Sequence, residues 1–551
     1  MLLIECNNIK KYFGDKLILD FEHLEVHSED RIGVVGINGA GKTTLLNILS
    51  SRLEPDEGQV KLYGRVAYIS QLEPAERQNI SSEMASRFGV GTVWNEHMSG
   101  GEKTRFKLAA ALDDNSSVIL ADEPTSNVDM EGIELMAEKF MEYNGALMVI
   151  SHDRNFLDKI CNEILEIEDG KIKLYNGNYS AYRDQKIHER ERAQLEYEEY
   201  VKEKKRLEGV IEGLKRNVKS MRKTPKRMGN SEARLHKMGP QKSQAALERA
   251  VKNVEKRIQH LEVKEKPKEQ PEIKLDIQEG DRLHSKIIIE GKNITKVFGE
   301  KIIFKEASFS IYNNSKVALI GPNGCGKTTL IKMIMDNDAS IRIAKGAKIG
   351  YFSQEMDILN KNLSIIENVM ESSIYPESFA RLLLARLLFR GDEVYKKVHV
   401  LSGGEQVKVS FAKMLLQDIN LLILDEPTNY MDINSLEVME ESLREYNGTL
   451  LFVSHDRRFV DALADHIMTI EDMKIRMFSG NYAEYLEKRK KSGNETKEDI
   501  EKQVLLLRNR LSEVIGRLSM PSKNDDVEAL NKEYFKIMDE LRELDNILKS
   551  F

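Results

Sequence analysis

A glycine-rich loop closing on Lys-Thr-Thr occurs twice in the 551 residues, as GINGAGKTT at residues 36–44 and GPNGCGKTT at residues 321–329. Each copy follows an apolar run rich in β-branched residues (RIGVV, KVALI) and opens a segment of helical period (LLNIL, LIKMI). Strand, tight turn and helix in that order demand an α/β fold around a buried sheet, and the duplication demands two such domains. The six glycines Gly36, Gly39, Gly41, Gly321, Gly324 and Gly326 allow the backbone to approach an anion. Successive amides of Asn38, Ala40 and Thr44, and of Asn323, Cys325 and Thr329, can then point at phosphate oxygens. Lys42 and Lys327 reach the β- and γ-phosphates, and Thr43 and Thr328 place a hydroxyl on Mg²⁺, the usual ion of such a triphosphate.

Further motifs repeat in the same order. SVILADEP and LLILDEP are apolar strands ending in two acids, which suits Asp122 and Asp425 to hold Mg²⁺ and Glu123 and Glu426 to polarise the attacking water. An Asp-Glu pair at a strand end is, by itself, more often a turn or a cap. What decides otherwise is the order: YISQ (Gln71), MSGGE (Met98 to Glu102), SNVD and ISHD (His152) in the first half, YFSQ (Gln354), LSGGE, NYMD and VSHD (His455) in the second. Ser99, Gly100 and Gly101, like Ser402, Gly403 and Gly404, can open a helix whose exposed amides suit a γ-phosphate. Lys42 and Lys327 are 285 residues apart, and Gln71 and Gln354 are 283 apart, whereas the signature serines, second acids and histidines are all 303 apart. The second copy therefore carries 20 extra residues between its glutamine and its signature, including ESFARLLLARLLF.

In these motifs the sequence resembles the ATP-binding cassette superfamily. The resemblance makes Gln71 and Gln354 the Q-loop residues, with a share in Mg²⁺ binding, and His152 and His455 the switch histidines. Phe13 and Phe298 match the aromatic that stacks on adenine. Two complete sets imply head-to-tail pairing, in which Lys42, Gln71, Asp122, Glu123 and His152 face Ser402 and Gly404. Lys327, Gln354, Asp425, Glu426 and His455 then face Ser99 and Gly101. Neither set is degenerate, although Met98 replaces the usual signature leucine.

One stretch is not repeated. Between the copies, Tyr197, Tyr200, Leu207, Ile211, Leu214, Val218 and Met221 step by 3, 4 or 7, and Leu247, Val251, Val254, Ile258 and Leu261 by 4 and 3. That is the seam of a two-helix coiled coil. Its first helix is expected to run unbroken from Ala181 to Lys223, roughly 60 Å at 1.5 Å per residue. Between Lys215 and Lys242 there are ten Lys or Arg against one acid, Glu232, with Pro225, Gly229, Asn230, Gly239 and Pro240 breaking the helices into a tip. A basic run is ordinarily a solvated helix face. This one is too one-sided for that in a chain of net charge −7, and an anionic partner, a nucleic acid, is expected.

With 41% apolar and 31% charged residues the chain can bury two or three cores. No run approaches 18 apolar residues and the start MLLIECNNI has no basic n-region, so neither a membrane span nor a secretory signal is expected. Cys6, Cys161 and Cys325 lack metal-ligand spacing and are too few for a disulfide framework, which fits a cytoplasmic protein. The expected organisation is an ATPase domain at 1–180, a helical-hairpin linker at 181–284 with its tip at about 215–242, a second ATPase domain at 285–487 and a helical extension at 488–551. The extension carries two helical periods, Val504, Leu507, Leu511, Val514 and Leu518, then Leu530, Tyr534, Ile537, Leu541, Leu544 and Leu548.

Two cassettes in one chain joined by a long basic coiled coil resemble the ABC-F family of translation factors over essentially all 551 residues. The short interval from Gln71 to Ser99, the long tip and the carboxy-terminal hairpin resemble its antibiotic-resistance members, especially the Vga-like group. The resemblance implies an ATPase whose linker enters the tRNA exit site of the 70S ribosome and acts near the peptidyl-transferase centre, against pleuromutilins, lincosamides and streptogramin A. Its implied partners are large-subunit ribosomal RNA and P-site tRNA, with no membrane subunit and no protein cofactor. RNA contact falls to Lys215, Lys219, Arg222, Lys223, Lys226, Arg227, Met228, Arg234, Lys237 and Lys242. A housekeeping ABC-F translation factor is the alternative, and the ATPase of a separate membrane transporter ranks behind both.

Overall fold

The computed structural model describes residues 1–70, 73–75, 77–114, 116–126, 128–221, 241–264, 285–353, 358–429 and 431–489, with parts of 504–518 and 532–542. Gln71, Gln354 and the tip positions Arg222, Lys223, Lys226, Arg227, Met228, Arg234 and Lys237 lie outside the described residues, as do Leu530, Leu544 and Leu548. The chain forms two compact units that exchange short segments: Met1–Glu96, Lys103–Thr125 and Met136–Lys274 in one, His97–Glu102, Ser126–Leu135 and Leu275–Phe551 in the other.

The first half runs β1 (Leu2–Phe13), β2 (Lys16–His27), β3 (Arg31–Val35), α1 (Lys42–Leu49), β4 (Glu57–Leu62), β5 (Val66–Ile69), α2 (Ser82–Phe88), α3 (Gly100–Asp113), β6 (Val118–Asp122), α4 (Met130–Glu142), β7 (Ala146–Ile150), α5 (Arg154–Ile160), β8 (Glu163–Glu168) and β9 (Lys171–Asn176). Its main sheet has the order β5-β6-β7-β3-β8-β9, parallel except for the last pair. The central strands read as continuous apolar runs because both faces are covered: β6 and β7 are buried at every residue. A second, antiparallel sheet, β2-β1-β4, lies over α1, whose Leu45, Leu46, Ile48 and Leu49 share one core with Ile4, Ile9 and Leu19.

The linker begins with α6 (Tyr179–Met221), one unbroken helix of 43 residues, and returns as α7 (Gln241–Gln259). The seam read from the periodicity is the buried one: Leu207, Ile211 and Val251 are at most 9% exposed, and Tyr197, Tyr200, Leu214, Val218, Leu247, Val254, Ile258 and Leu261 are half-buried. Lys215–Glu255 (3.0 Å) and Lys264–Glu196 (3.3 Å) bridge the two chain directions.

The second half repeats the plan with β10 (Ile287–Phe298), β11 (Lys301–Tyr312), β12 (Lys316–Ile320), α8 (Lys327–Met335), β13 (Ile341–Ile343) and β14 (Ile349–Phe352). Ser364 caps α9 (Ile365–Met370) as Ser81 caps α2, 283 residues earlier, so the 20 extra residues lie beyond α9; α10 (Glu377–Arg386) is in that longer stretch, which leads to α11 (Gly403–Leu415). Then follow β15 (Leu421–Asp425), α12 (Ile433–Glu445), β16 (Thr449–Val453), α13 (Arg457–Leu463), β17 (His466–Glu471) and β18 (Lys474–Ser479), giving the sheet order β14-β15-β16-β12-β17-β18. In the tail, Val504, Val514, Ile537 and Leu541 form a small core with Leu507, Leu511, Leu518 and Tyr534, the spacing expected of a helical hairpin.

Candidate active site

Both phosphate loops are built by glycines that no other residue could replace. Gly41 and Gly326 cap α1 and α8 in the left-handed region, at φ 101° and 112°. A Cβ there would sit 2.8 Å from Ile18 Cγ2 or 2.5 Å from Ile303 Cγ2. Side-chain strain and backbone strain therefore coincide at one position in each loop. The loop lysines are 8% exposed and donate back into the loop, Lys42 Nζ to the carbonyls of Gly36 (2.8 Å) and Ile37 (3.2 Å), Lys327 Nζ to those of Gly321 (2.8 Å) and Pro322 (3.2 Å). Each cation is thus held at the loop's centre, where an anionic phosphate is the natural exchange for two carbonyls.

The acids stand where β6 and β15 end. Burial raises Asp122 and Asp425, and hydrogen bonds with the Thr43 and Thr328 hydroxyls work against that rise. In the first half the Tyr68 hydroxyl also lies 3.4 Å from Asp122 Oδ2. Glu123 and Glu426 follow with φ of 48° and 51°, a left-handed turn unusual for glutamate. Their amides are fixed to the carbonyls of Ile150 and Val453 at 3.0 Å. That strained turn aims each second carboxylate off the strand axis and toward the histidine of the neighbouring strand. His152 Nε2 lies 3.1 Å from Glu123 Oε1, and His455 Nε2 lies 3.1 Å from Glu426 Oε1.

Electrostatics set the protonation of this pair. Burial pushes Glu426 up to about 7, with Asp425 adding to the rise and Lys327 opposing it; burial raises Glu123 in the same way. Burial and the Lys327 charge push His455 down to about 3. At neutral pH His455 is a neutral imidazole, and Glu426 is poised between acid and base, the state a group handling water's proton requires. The second oxygen, Glu426 Oε2, is buried with no hydrogen-bond partner among the described residues. A cavity of about 280 Å³ opens beside it, lined by Gly324, Gly326, Lys327, Thr328, Asp425 and His455 among others.

The remaining motif residues divide. Ser99 and Ser402 open α3 and α11 through reciprocal bonds, Ser99 N to Glu102 Oε2 and Ser402 N to Glu405 Oε2, both 2.8 Å, which leaves Gly100, Gly101, Gly403 and Gly404 in the first turns. Phe13 and Phe298 are 54% and 55% exposed at the ends of β1 and β10, open to a stacking ring. Lys215 and Lys219 lie on α6; Lys242 lies in the first turn of α7. Sequence reasoning passed over the hydroxyl pairs Thr125–Ser151 (2.8 Å) and Thr428–Ser454 (3.2 Å), which tie the turn after each second acid to the strand before each histidine. Their signal was available, because both members recur at the 303-residue offset.

An ABC transporter family model matches residues 20–86 and 304–429, and a second model of the same description matches 165–275. The ribosome protection protein VmlR of Bacillus subtilis is 30% identical over 99% of this chain and 98% of its own length. The chain belongs to the ABC-F family of ATP-binding cassette ATPases. Among other relatives, the erythromycin resistance ATP-binding protein MsrA of Staphylococcus epidermidis is 32% identical over 84% of this ABC-F chain and 96% of its own. In fold, it is similar to an archaeal ribosome recycling factor, aABCE1, solved with ribosomal stalk protein aP1. That likeness has a TM-score of 0.58 at 19% identity and covers 88% of this chain and 92% of the other. The chain is therefore an ATPase that binds nucleotide. Among the described residues no cluster of three His, Cys, Asp or Glu could hold a metal, and no helix is long and apolar enough to cross a membrane.

Proposed function

We propose that this ABC-F ATPase is cytoplasmic, associates with the 70S ribosome through its linker and protects the peptidyl-transferase centre from antibiotics. In this reading it contacts large-subunit RNA and P-site tRNA at the tRNA exit site, and ATP hydrolysis drives its release. The observation that carries the reading is the pairing of two candidate nucleotide sites of matching geometry with a two-helix linker in a chain that aligns end to end with a protein named for ribosome protection. A second relative is named for erythromycin resistance. Lincosamides, pleuromutilins and streptogramin A are the drug classes proposed.

The residues divide the work. Lys42 and Lys327, with the loop amides, neutralise the β- and γ-phosphates. Thr43 with Asp122, and Thr328 with Asp425, are the residues that would hold Mg²⁺, together with Gln71 and Gln354, and the ion supplies charge neutralisation at the phosphates. Glu123 and Glu426 orient water for in-line attack, while His152 and His455 keep them aimed. Ser99, Gly101, Ser402 and Gly404 close on the γ-phosphate from the opposite cassette, so loss of that phosphate opens the pair.

Drug susceptibility on expression in a sensitive host is the test, coupled to ribosome co-sedimentation with ATP. Replacing Thr224 to Arg234 by a short Gly/Ser loop is expected to preserve basal ATPase activity and weaken sedimentation only modestly, yet abolish protection. No change in susceptibility for the parent, with sedimentation intact, overturns protection in favour of a housekeeping translation factor. No sedimentation at all overturns the ribosomal reading.

A further inference from the structure

The first turns of α6 are attached to the first cassette at two places, and each lies close to a residue of the candidate site. At one, Glu166 of β8 is the hub. Its Oε1 accepts from the Tyr182 hydroxyl at 2.8 Å and its Oε2 from Lys186 Nζ at 2.6 Å, both on α6. The Tyr175 hydroxyl of β9 lies 3.2 Å from that second oxygen and 3.0 Å from Glu189 Oε2, about one turn further along α6. The side chains of Glu166 and Lys186 are 12% and 19% exposed, so solvent screens this charge-assisted pair little. At the other place, Asp158 of α5 grips the start of the helix. Its two carboxylate oxygens accept from the Ser180 amide and the Ser180 hydroxyl, each at 2.6 Å.

Both attachments are short steps from the site. Glu166 pairs in register with Val35, the residue before the phosphate loop. The next residues meet as well: a Cβ on Gly36 would lie 2.7 Å from the Ile167 carbonyl oxygen, so the loop's first residue is seated directly on β8. Gly36 also supplies one of the two carbonyls that hold Lys42 Nζ, at 2.8 Å. A phosphate that takes over the lysine releases that carbonyl, and the change is felt where the loop rests on β8. On the other side, α5 starts just after His152. Asp153 caps it by accepting from the Phe156 amide at 3.0 Å, and Asp158 stands in its second turn.

The cassette fold does not require these side chains. At the offset of 303 residues that relates the two signatures, Thr469, Phe478 and Ala483 stand where the first half has Glu166, Tyr175 and Ser180, and the second half builds the same sheet with them. The carboxylate and the serine hydroxyl are therefore features of the cassette whose last strand leads into the linker.

We propose that Glu166 and Asp158 are positioning residues through which the orientation of α6 follows the nucleotide state of the Lys42 centre. Events at Lys42 and at His152 reach the helix by two separate routes, one through β8 and one through α5. The inference rests on the reading of the Lys42 loop as a phosphate site, and it becomes a coupling only if a change at that site is read out on the helix.

The test is a distance measurement on full-length protein. Spin labels are placed at Glu29→Cys in the first cassette and Glu208→Cys on α6, both exposed positions, and Cys325→Ala, which copies Ala40, removes the native thiol that is not buried. Saturating Mg²⁺-ATPγS is expected to shift the distance between the labels by several ångströms. Glu166→Thr with Ser180→Ala, which gives the first half the residues the second already folds with, should lose more than half of that shift while nucleotide affinity and basal turnover stay near the parent's. Ser180→Thr, which keeps the hydroxyl, should retain the shift. So should Gln185→Ala, which removes a different bond at the start of α6, to the Asn176 carbonyl at 2.9 Å. Lys42→Ala should abolish it. A parent whose labels do not move although nucleotide binds overturns the coupling, as does a double variant that moves like the parent. An equal loss in Gln185→Ala marks general loosening and also overturns it, and a shift that survives Lys42→Ala overturns the assignment to this centre. Should the double variant lose nucleotide affinity as well, the two residues serve the integrity of the site and the inference falls. If the parent binds no nucleotide, the reading of the phosphate loop fails first, and the inference with it.

Discussion

The two candidate catalytic centres are far more alike than the two helical segments beside them. At the centres the halves are copies to within tenths of an ångström: 2.8 Å from lysine to loop carbonyl, 3.1 Å from histidine to glutamate, φ near 50° at the second acid. Between Q-loop and signature they differ in length. Among the described residues both halves have a short serine-capped helix there, α2 and α9, and the second adds α10, which buries Leu383 and Leu384. In-line attack on a phosphate tolerates little displacement. A helical segment that must only cover apolar surface and present the start of the signature helix can lengthen by 20 residues without touching the chemistry.

The strongest challenge to that equivalence is removal of the second acids. Glu123→Gln with Glu426→Gln is expected to cut phosphate release by about 10²–10⁴-fold while nucleotide binding persists. Near wild-type turnover in the double variant rules out both assignments, and unequal single variants show that like geometry hides unlike centres.

Next in size is a stability difference between the halves. Lys408 and Asp432 pair at 5% and 1% exposure, so Lys408→Ala strands a buried carboxylate and should cost roughly 3–5 kcal/mol in denaturant unfolding. Arg105, at the matching position, is only half-buried, and Arg105→Ala should cost roughly 1 kcal/mol. Equal losses would mean that the two interiors are as alike as the two sites.

The smallest effect is a pH dependence. Glu426 titrates near 7 in the fold against an ordinary 4.5, so the folded state binds the proton more tightly. Its contribution to stability is present below about pH 4.5 and is lost as pH rises through 7. Glu426→Gln should gain on the parent by roughly 2–3 kcal/mol across that interval, read as melting temperature against pH. Glu123→Gln should behave alike if the halves match, since burial raises Glu123 too.

Much of this was legible in the sequence because it is local or periodic. Gly41 must be glycine, Leu207 and Val251 must face a partner helix, and Glu123 must stand at a strand end, all from spacing alone. The Glu134–Arg457 ion pair was not legible: the two residues are 323 apart in sequence, in the first turns of two helices, where charged residues are ordinary. Nor was the Lys408–Asp432 pair, since a lysine in an amphipathic helix reads as surface until its neighbours are known. The base of the linker was missed for the same reason. There Tyr182 donates to Glu166 at 2.8 Å, Tyr175 to Glu189 at 3.0 Å, and Lys186 pairs with Glu166, joining tyrosines and charges that the periodicity treats as unrelated.

That base gives α6 a mechanical property. An unbroken helix of 43 residues fixed in its first turns to β8 and β9 is a lever up to about 65 Å long. A tilt of about 5° at Tyr182 swings Met221 through about 5 Å, more than the stacking step of about 3.4 Å between bases. Amplification of that size turns a small rearrangement at the base of the helix into a displacement larger than one base step at its far end.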